Sequence, residues 1–383
     1  MRTLFKSMAI VALTATTAIS ETQGVTDSEV LIGSNQDMSG PFAAFGAPAV
    51  QAAKIYFDEI NAAGGVHGRQ IRMVVEDHAY QMPKAMSGLN KLVNSDKVFA
   101  MLLSLGTPMN IASFPLLESK QIANVSPLTA ARQMVDPPSN IKYAGSSYYH
   151  AQMLAAVPYV AEQTGAKTIC SMYIPSDFGL EIAEGTHDAV KANGLTFGGE
   201  TKHKPDELDF VGSISKLASQ GCEVITVALG VRQAITAVAT AKKMGLTDLK
   251  FIGSSASFHT AIAKVPGGVT EGFYAAAGWS DILARMGHPD VAKWVASYQG
   301  ATGEFPGSGA LLGRSAAETL VRALEAAGHD LTPESFQTGM ESLSFEDTIS
   351  DVQVDYSADD HQGADKVVIS QIQDGNWKEL IRK

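Results

Sequence analysis

Short apolar runs alternate with longer stretches of helical period along most of this chain. VLIGSNQ (Val30–Gln36) reads as a strand. A turn follows, then a helix over about 47–63, where Ala49, Ala52, Ala53, Ile55, Tyr56 and Ile60 recur at helical spacing and Gly64-Gly65 ends the element. QIRMVVED (Gln70–Asp77) alternates as a second strand, a helix near Met82–Asn94 follows, and VFAMLLSL reads as a buried strand. ASFPLLESK and IANVSPL supply one more helix and strand.

The pattern restarts near Tyr148. Helix His150–Gln163 leads to strand KTICSMYI, and helix Leu180–Asn193 to a strand near Leu195–Glu200. Helix Phe210–Ser219 leads to EVITVAL, and helix Arg232–Met244 to LKFIGS. Strand–helix–strand alternation is satisfied by parallel sheets with helical crossovers. The expected fold is therefore α/β, with two doubly wound parallel-sheet lobes. Beyond the Gly/Pro-rich stretch Val265–Gly272 come a strand near Phe273–Ala277 and helices near Val291–Gln299 and Ala310–Ala327. VQVDY and KVVISQIQDG read as antiparallel strands around a turn at Ser357–Gly363.

The first segment changes the picture of where such a protein works. Arg2 and Lys6 precede an uncharged apolar stretch from Ser7 to Ile19, and small residues stand at Ala18 and Ser20. This is the layout of a secretory signal peptide over 1–20, cleaved near Ser20/Glu21. No later apolar run reaches the ~18 residues a membrane helix needs. The net charge of −11 becomes about −13 without Arg2 and Lys6. That balance argues against nucleic acid and anionic membrane surfaces as partners. Cys170 and Cys222 lie in or beside apolar runs and read as buried small hydrophobes, although export permits a bridge between them. Metal-ligand spacing is absent, so no metal and no cofactor are assigned.

In open parallel sheets, ligands lie beyond the carboxyl ends of the strands. Four turns occupy such places. GTPMN (Gly106–Asn110) joins a strand to a helix start: Gly106 allows close backbone approach, Thr107 offers a hydroxyl, and Pro108 suits the first helical turn. A helix start of this kind binds carboxylate or phosphate, though Thr also serves as a plain cap. VSPLTAA (Val125–Ala131), with Leu128 and Thr129, repeats the arrangement. SGPFAAFG places Phe42 and Phe45 after the first strand, and PSDFG places Asp177 as a helix cap and Phe178 as a cover for the opposite side. HKPDELD (His203–Asp209) reads as solvated surface. No GxGxxG, GxxxxGK or GxSxG follows any strand, which opposes a nucleotide-dependent enzyme and a hydrolase.

In order along the chain, VLIGSNQDMSGPFAAFG, EINAAGGVHGRQIRMVVED, SLGTPMNIASFPLLESKQIANVSP and SDFG resemble the type I periplasmic binding proteins, most of all the branched-chain amino-acid (leucine/isoleucine/valine) receptors of ABC transporters. The resemblance runs from about Val25 to the C-terminus. It implies two lobes joined by a three-strand hinge, with 25–146 and 274–351 in lobe one and 147–273 and 352–383 in lobe two. It implies that Thr107 and the backbone near Leu128 and Thr129 hold a ligand carboxylate, with Phe45 and Phe178 as aromatic walls. Amino-acid receptors of the family hold the ligand ammonium with an acidic side chain after the strand LKFIGS; Ser255 stands there in this chain. An aromatic after EVITVAL is replaced by Gly230 or Val231. Arg232 and Arg314 fall near expected cleft edges, where either would meet an anionic ligand.

The expected protein is a non-enzymatic, monomeric periplasmic receptor. It delivers a small carboxylate, amino-acid-like or aromatic/apolar, to the permease subunits of an ABC transporter. A ligand-sensing module of the same fold is the alternative, and a nucleotide-dependent enzyme the remoter one.

Overall fold

The computed structural model describes residues 22–383, so the signal-peptide reading of 1–20 lies outside the described residues. The first half runs β1 (Glu29–Gln36), α1 (Ala43–Ala62), β2 (Gln70–Asp77), α2 (Met82–Asn90), β3 (Ala100–Leu102), α3 (Thr107–Lys120), β4 (Ala123–Val125) and β5 (Lys142–Tyr143). These five strands form one parallel sheet in the order β2-β1-β3-β4-β5. Both faces of β1, β3 and β4 are buried, which is why these strands read as apolar runs, while edge strand β2 keeps its alternation. Val30 and Ile32 belong to one core, and Leu31 between them belongs to the other.

The second half runs α4 (Tyr149–Thr164), β6 (Thr168–Tyr173), α5 (Asp177–Ala192), β7 (Thr196–Lys202), α6 (Val211–Ser219), β8 (Val224–Ala228), α7 (Val231–Lys243), β9 (Lys250–Gly253), α8 (Thr260–Ala263) and β10 (Tyr274–Ala277). The rest comprises α9 (Pro289–Thr302), α10 (Ser308–Ala327), α11 (Pro333–Glu341), β11 (Ser344–Asp347), β12 (Val352–Asp355), β13 (Val368–Gln373) and β14 (Asn376–Arg382). The second sheet is ordered β14-β13-β10-β9-β8-β6-β7. Its parallel part, β7-β6-β8-β9-β10, repeats the strand order of the first sheet. The restart of the pattern near Tyr148 is thus a repeat of topology.

Three readings need correction. The lobe boundary expected at 274 falls at the start of β10, yet β10 pairs in parallel with β9 and belongs to the second sheet. The boundary expected at 352 falls at β12, which pairs with β11 in a separate two-stranded ribbon. Val354 and Tyr356, at the end of that ribbon, pack into the core of the first sheet. For the same reason VQVDY and KVVISQIQDG are not partners: β13 pairs with β10 and β14. Short antiparallel strands choose partners by long-range packing, which spacing along the chain does not encode.

The chain passes between the halves at three adjacent places, near 144–148, 278–281 and 357–367. The first and third are joined by backbone bonds Ala144 N to His361 O (3.0 Å) and Gly363 N to Ala144 O (2.8 Å), and by Tyr356 Oη donating to Ala144 O at 3.0 Å. Helix α10 lies directly on α1. A side chain at Gly313 would meet the Ala49 carbonyl oxygen at 2.1 Å, so the close approach requires glycine.

Cys170 and Cys222 are bridged, with Cα atoms 5.8 Å apart, where the reading above took them as two buried thiols. Cys170 sits inside β6, and Cys222 two residues before the adjacent β8. The bridge closes a loop of 52 residues. Closing such a loop removes chain entropy from the unfolded state, so replacing both cysteines by alanine is expected to lower stability by about 2–4 kcal/mol in urea denaturation. A loss within error would show the bridge to be mechanically idle.

Candidate ligand-binding cleft

The carboxyl ends of both parallel sheets open on one cleft. In each sheet the strand order reverses beside the strand that leads it, β1 against β3 and β6 against β8, and a crevice forms at such switch points. The cleft measures about 1040 Å³ with its open mouth included.

One wall comes from the loop after β1. Asp37 accepts hydrogen bonds from the backbone amides of Gly40 and Phe42 (2.8 Å to Phe42), shaping the turn that starts α1. Phe42 and Phe45 then project into the cleft. From the opposite half come Phe178, in the first turn of α5, and Tyr149, the first residue of α4. Phe42 and Phe178 meet edge-to-face with ring centroids 5.9 Å apart, and Tyr149 meets Phe178 at 5.3 Å. Edge-to-face contacts of this kind match the positive edge of one ring to the negative face of the other. Tyr80, after β2, completes the wall 4.5 Å from Phe42.

The polar end is built by the loops after β3 and β4. Gly106 sits at φ 99°, a conformation glycine tolerates, and delivers the chain into α3. Thr107 opens that helix, so its amide has no intrahelical acceptor. Its hydroxyl does not cap the helix; it lies 2.6 Å from the Thr129 hydroxyl and is buried. One hydroxyl donates to the other, and the second proton is left for a third group. The Tyr149 hydroxyl faces the Ala130 amide and the Thr129 hydroxyl, while burial pushes its pKa up to about 12 and keeps it a neutral donor. The backbone of Leu128 is already engaged. Its amide donates to Ser104 O at 3.0 Å and its carbonyl accepts from Gly106 N at 3.4 Å. Leu128 therefore lines the cleft without the free amide expected of it, and the Thr129 amide is turned to Pro127 O at 2.8 Å.

Opposite this end lies Ser255, buried, with its amide donating to Gln152 Oε1 at 2.9 Å. Gly230 stands where an aromatic was expected. A side chain there would meet the Pro41 carbonyl at 3.3 Å and the Phe42 ring at 3.5 Å, so Phe42 fills that volume from the other half.

Thr107, Gly106, Leu128, Thr129, Phe45, Phe178 and Ser255 come together on one surface. The two arginines do not. Arg232 is exposed at the second position of α7. Arg314 stacks on the Tyr56 ring at 3.7 Å and pairs with Glu318 at 2.8 Å. Helical phase explains the miss, because the cleft face of α10 is Leu312, Ser315, Ala316 and Thr319, at spacings of three and four. Asp177 is the first residue inside α5; Ser176 occupies the cap position. His203 is buried and bonded to Thr201 and Glu207 instead of solvated. Sequence reasoning passed over Tyr80, Tyr149, Trp279 and the β11–β12 ribbon, which also line the cleft.

The halves touch around the rim. His259 Nδ1 accepts from the Ala261 amide at 3.0 Å, so Nε2 carries the proton and donates to Ala44 O at 3.2 Å across the cleft. Burial holds this imidazole neutral, with its pKa pushed down to about 4. Thr260 N donates to Ser308 Oγ at 3.2 Å. Buried Glu181 accepts from the amides of Arg132 (3.1 Å) and His150 (3.4 Å), one from each half. Among the described residues there is no cluster of His, Cys, Asp and Glu able to hold a metal, and no helix long and apolar enough to cross a membrane.

A family model described as periplasmic binding protein matches residues 29–376. The chain belongs to that family. It is 23% identical to the leucine-, isoleucine-, valine-, threonine- and alanine-binding protein of Pseudomonas aeruginosa, over 93% of this chain and 92% of the relative. An amino acid binding protein of the same organism is 24% identical across 54% of this chain and 56% of its own length. Among solved structures, the fatty acid ABC transporter substrate-binding protein from Thermomonospora curvata aligns with a TM-score of 0.86 at 25% identity, covering 94% of this chain and 93% of that one. The particular kind is thus a solute-binding protein of the ABC-transporter type, in the branch resembling branched-chain amino-acid receptors, and not an enzyme.

Burial lifts the Glu181 pKa to about 7, even though two amides donate to it. A raised value means the folded state retains a proton that the unfolded state releases above the ordinary 4.5. Stability from this group is therefore complete at low pH and is lost as pH climbs toward 7. Urea denaturation is expected to show Glu181→Gln gaining on the wild-type protein between about pH 5 and about pH 8. A gap that does not vary with pH would rule out this role.

Proposed function

We propose that this chain is the periplasmic, monomeric substrate-binding component of an ABC importer. It captures a small monocarboxylate with an apolar body and presents it to the permease. The observation that carries this reading is the pairing of the Thr107–Thr129 hydroxyls with Ser255 across an aromatic cleft. Hydroxyls and a helix start satisfy a carboxylate by hydrogen bonds to the charged form. An ammonium has no such welcome there, because a buried cation without an acidic partner is strongly disfavoured. The one acidic side chain on the cleft among the described residues, Asp347, accepts from the Ile349 amide at 3.0 Å and from the Ser350 hydroxyl and lies on the β11–β12 ribbon. The fatty-acid receptor similar to this chain fits the reading better than the amino-acid receptors do.

Calorimetry and thermal shift should show straight-chain and aromatic monocarboxylates binding and raising Tm, with ~2.7 kcal/mol of stabilisation at 100-fold excess over Kd. Leucine and valine should bind weakly or not at all; tight leucine binding with no response to simple acids would refute the choice of ligand. Thr107→Ala is expected to weaken acid binding by about 1–3 kcal/mol, the loss of a hydrogen bond to a charged group. Unchanged affinity would remove Thr107 from the site.

A further inference from the structure

The cleft extends well past the carboxylate end. Away from the strand ends it is lined by one face of α10, by the β11–β12 ribbon, and by the segments that pass between the halves. Three residues lining this end each carry a buried side-chain polar atom without a hydrogen-bond partner: Trp279 Nε1, Ser315 Oγ and Ser146 Oγ. Buried polar groups are nearly always paired, so three unpaired ones on residues lining one cleft need a reason. Trp279 is only 5% exposed, and its ring packs against Phe258 with centroids 6.0 Å apart. Ser315 stands on α10, which Gly313 holds hard against α1. Ser146 Oγ occupies the space that a side chain on Gly278 would need, so it belongs to the same corner as the residue preceding Trp279.

We infer that this end is a second ligand subsite, which takes an uncharged hydrogen-bond acceptor, a hydroxyl or carbonyl, carried by the ligand at the end remote from its carboxylate. The inference rests on the monocarboxylate reading above. Indole N–H is a donor only, while the two hydroxyls both donate and accept. A hydroxyl, which accepts two hydrogen bonds and donates one, has the capacity for all three, and a carbonyl accepts from two of them. A second carboxylate is disfavoured, because no lysine, arginine or histidine lines the cleft among the described residues and Asp347 does. The ligand class is then a hydroxy- or oxo-substituted acid.

The test is calorimetry of the wild-type protein with octanoate, decanoate, their ω-hydroxy counterparts and the matching dicarboxylates. At the length that spans the cleft, the ω-hydroxy acid is expected to bind roughly 10-fold tighter than the plain acid, and the dicarboxylate more weakly than either. Trp279→Phe keeps the ring and deletes the donor, so the hydroxy-to-plain ratio should fall to near one. Ser315→Ala, a smaller change, should lower the same ratio and stands in if Trp279→Phe does not fold. Equal affinities at every length, as a water-filled end would give, overturn the proposal while leaving the monocarboxylate reading intact. So does a preference that survives both variants. Failure of every acid to bind removes that reading and the proposal with it.

Discussion

Parallel strands end together, and everything beyond their carboxyl ends is loop and helix start. In this chain that constraint acts twice, in two sheets of the same order whose carboxyl ends face each other across three adjacent crossing segments. Amides that open helices, hydroxyls from those first turns and large side chains from the loops are therefore delivered to one volume from both sides. The site follows from the topology, and the residues decide what the volume accepts.

Those residues divide the cleft by polarity. Aromatic rings from both halves meet in its middle, where Phe42 reaches across to within contact distance of a side chain placed at Gly230. The hydroxyl pair at the start of α3 lies at one end. No cationic side chain is needed there, because a carboxylate that accepts several good hydrogen bonds stays ionised in a buried place. The rim is held partly by neutral contacts, His259 to Ala44 O and Thr260 to Ser308, and partly by carboxylates of α5, Glu181 on the Arg132 amide and Glu184 on the Arg132 guanidinium.

Much of this was legible in the chain. Runs such as EVITVAL carried the parallel strands, and the turns GTPMN and SDFG marked where strand ends meet helix starts. What escaped reading has a common cause. Arg314 was misplaced because one helical turn separates the face of α10 that lines the cleft from the face that stacks on Tyr56. Leu128 kept its place but lost its free amide to a single parallel bridge with Leu105. Tyr80, Tyr149 and Trp279 sit in loops or at element starts whose partners are distant in sequence. The β10 and β12 boundaries depended on strand partners chosen across the fold, and the pairing of Cys170 with Cys222 on the adjacency of β6 and the segment leading into β8.

A crystal structure of the protein soaked or grown with a monocarboxylate that it binds is the most direct trial. The carboxylate oxygens are expected within hydrogen-bond reach of Thr107 Oγ1 and the first amide of α3, with the apolar body between Phe42 and Phe178. A ligand bound outside the interlobe cleft, or with its carboxylate directed away from α3, would contradict it.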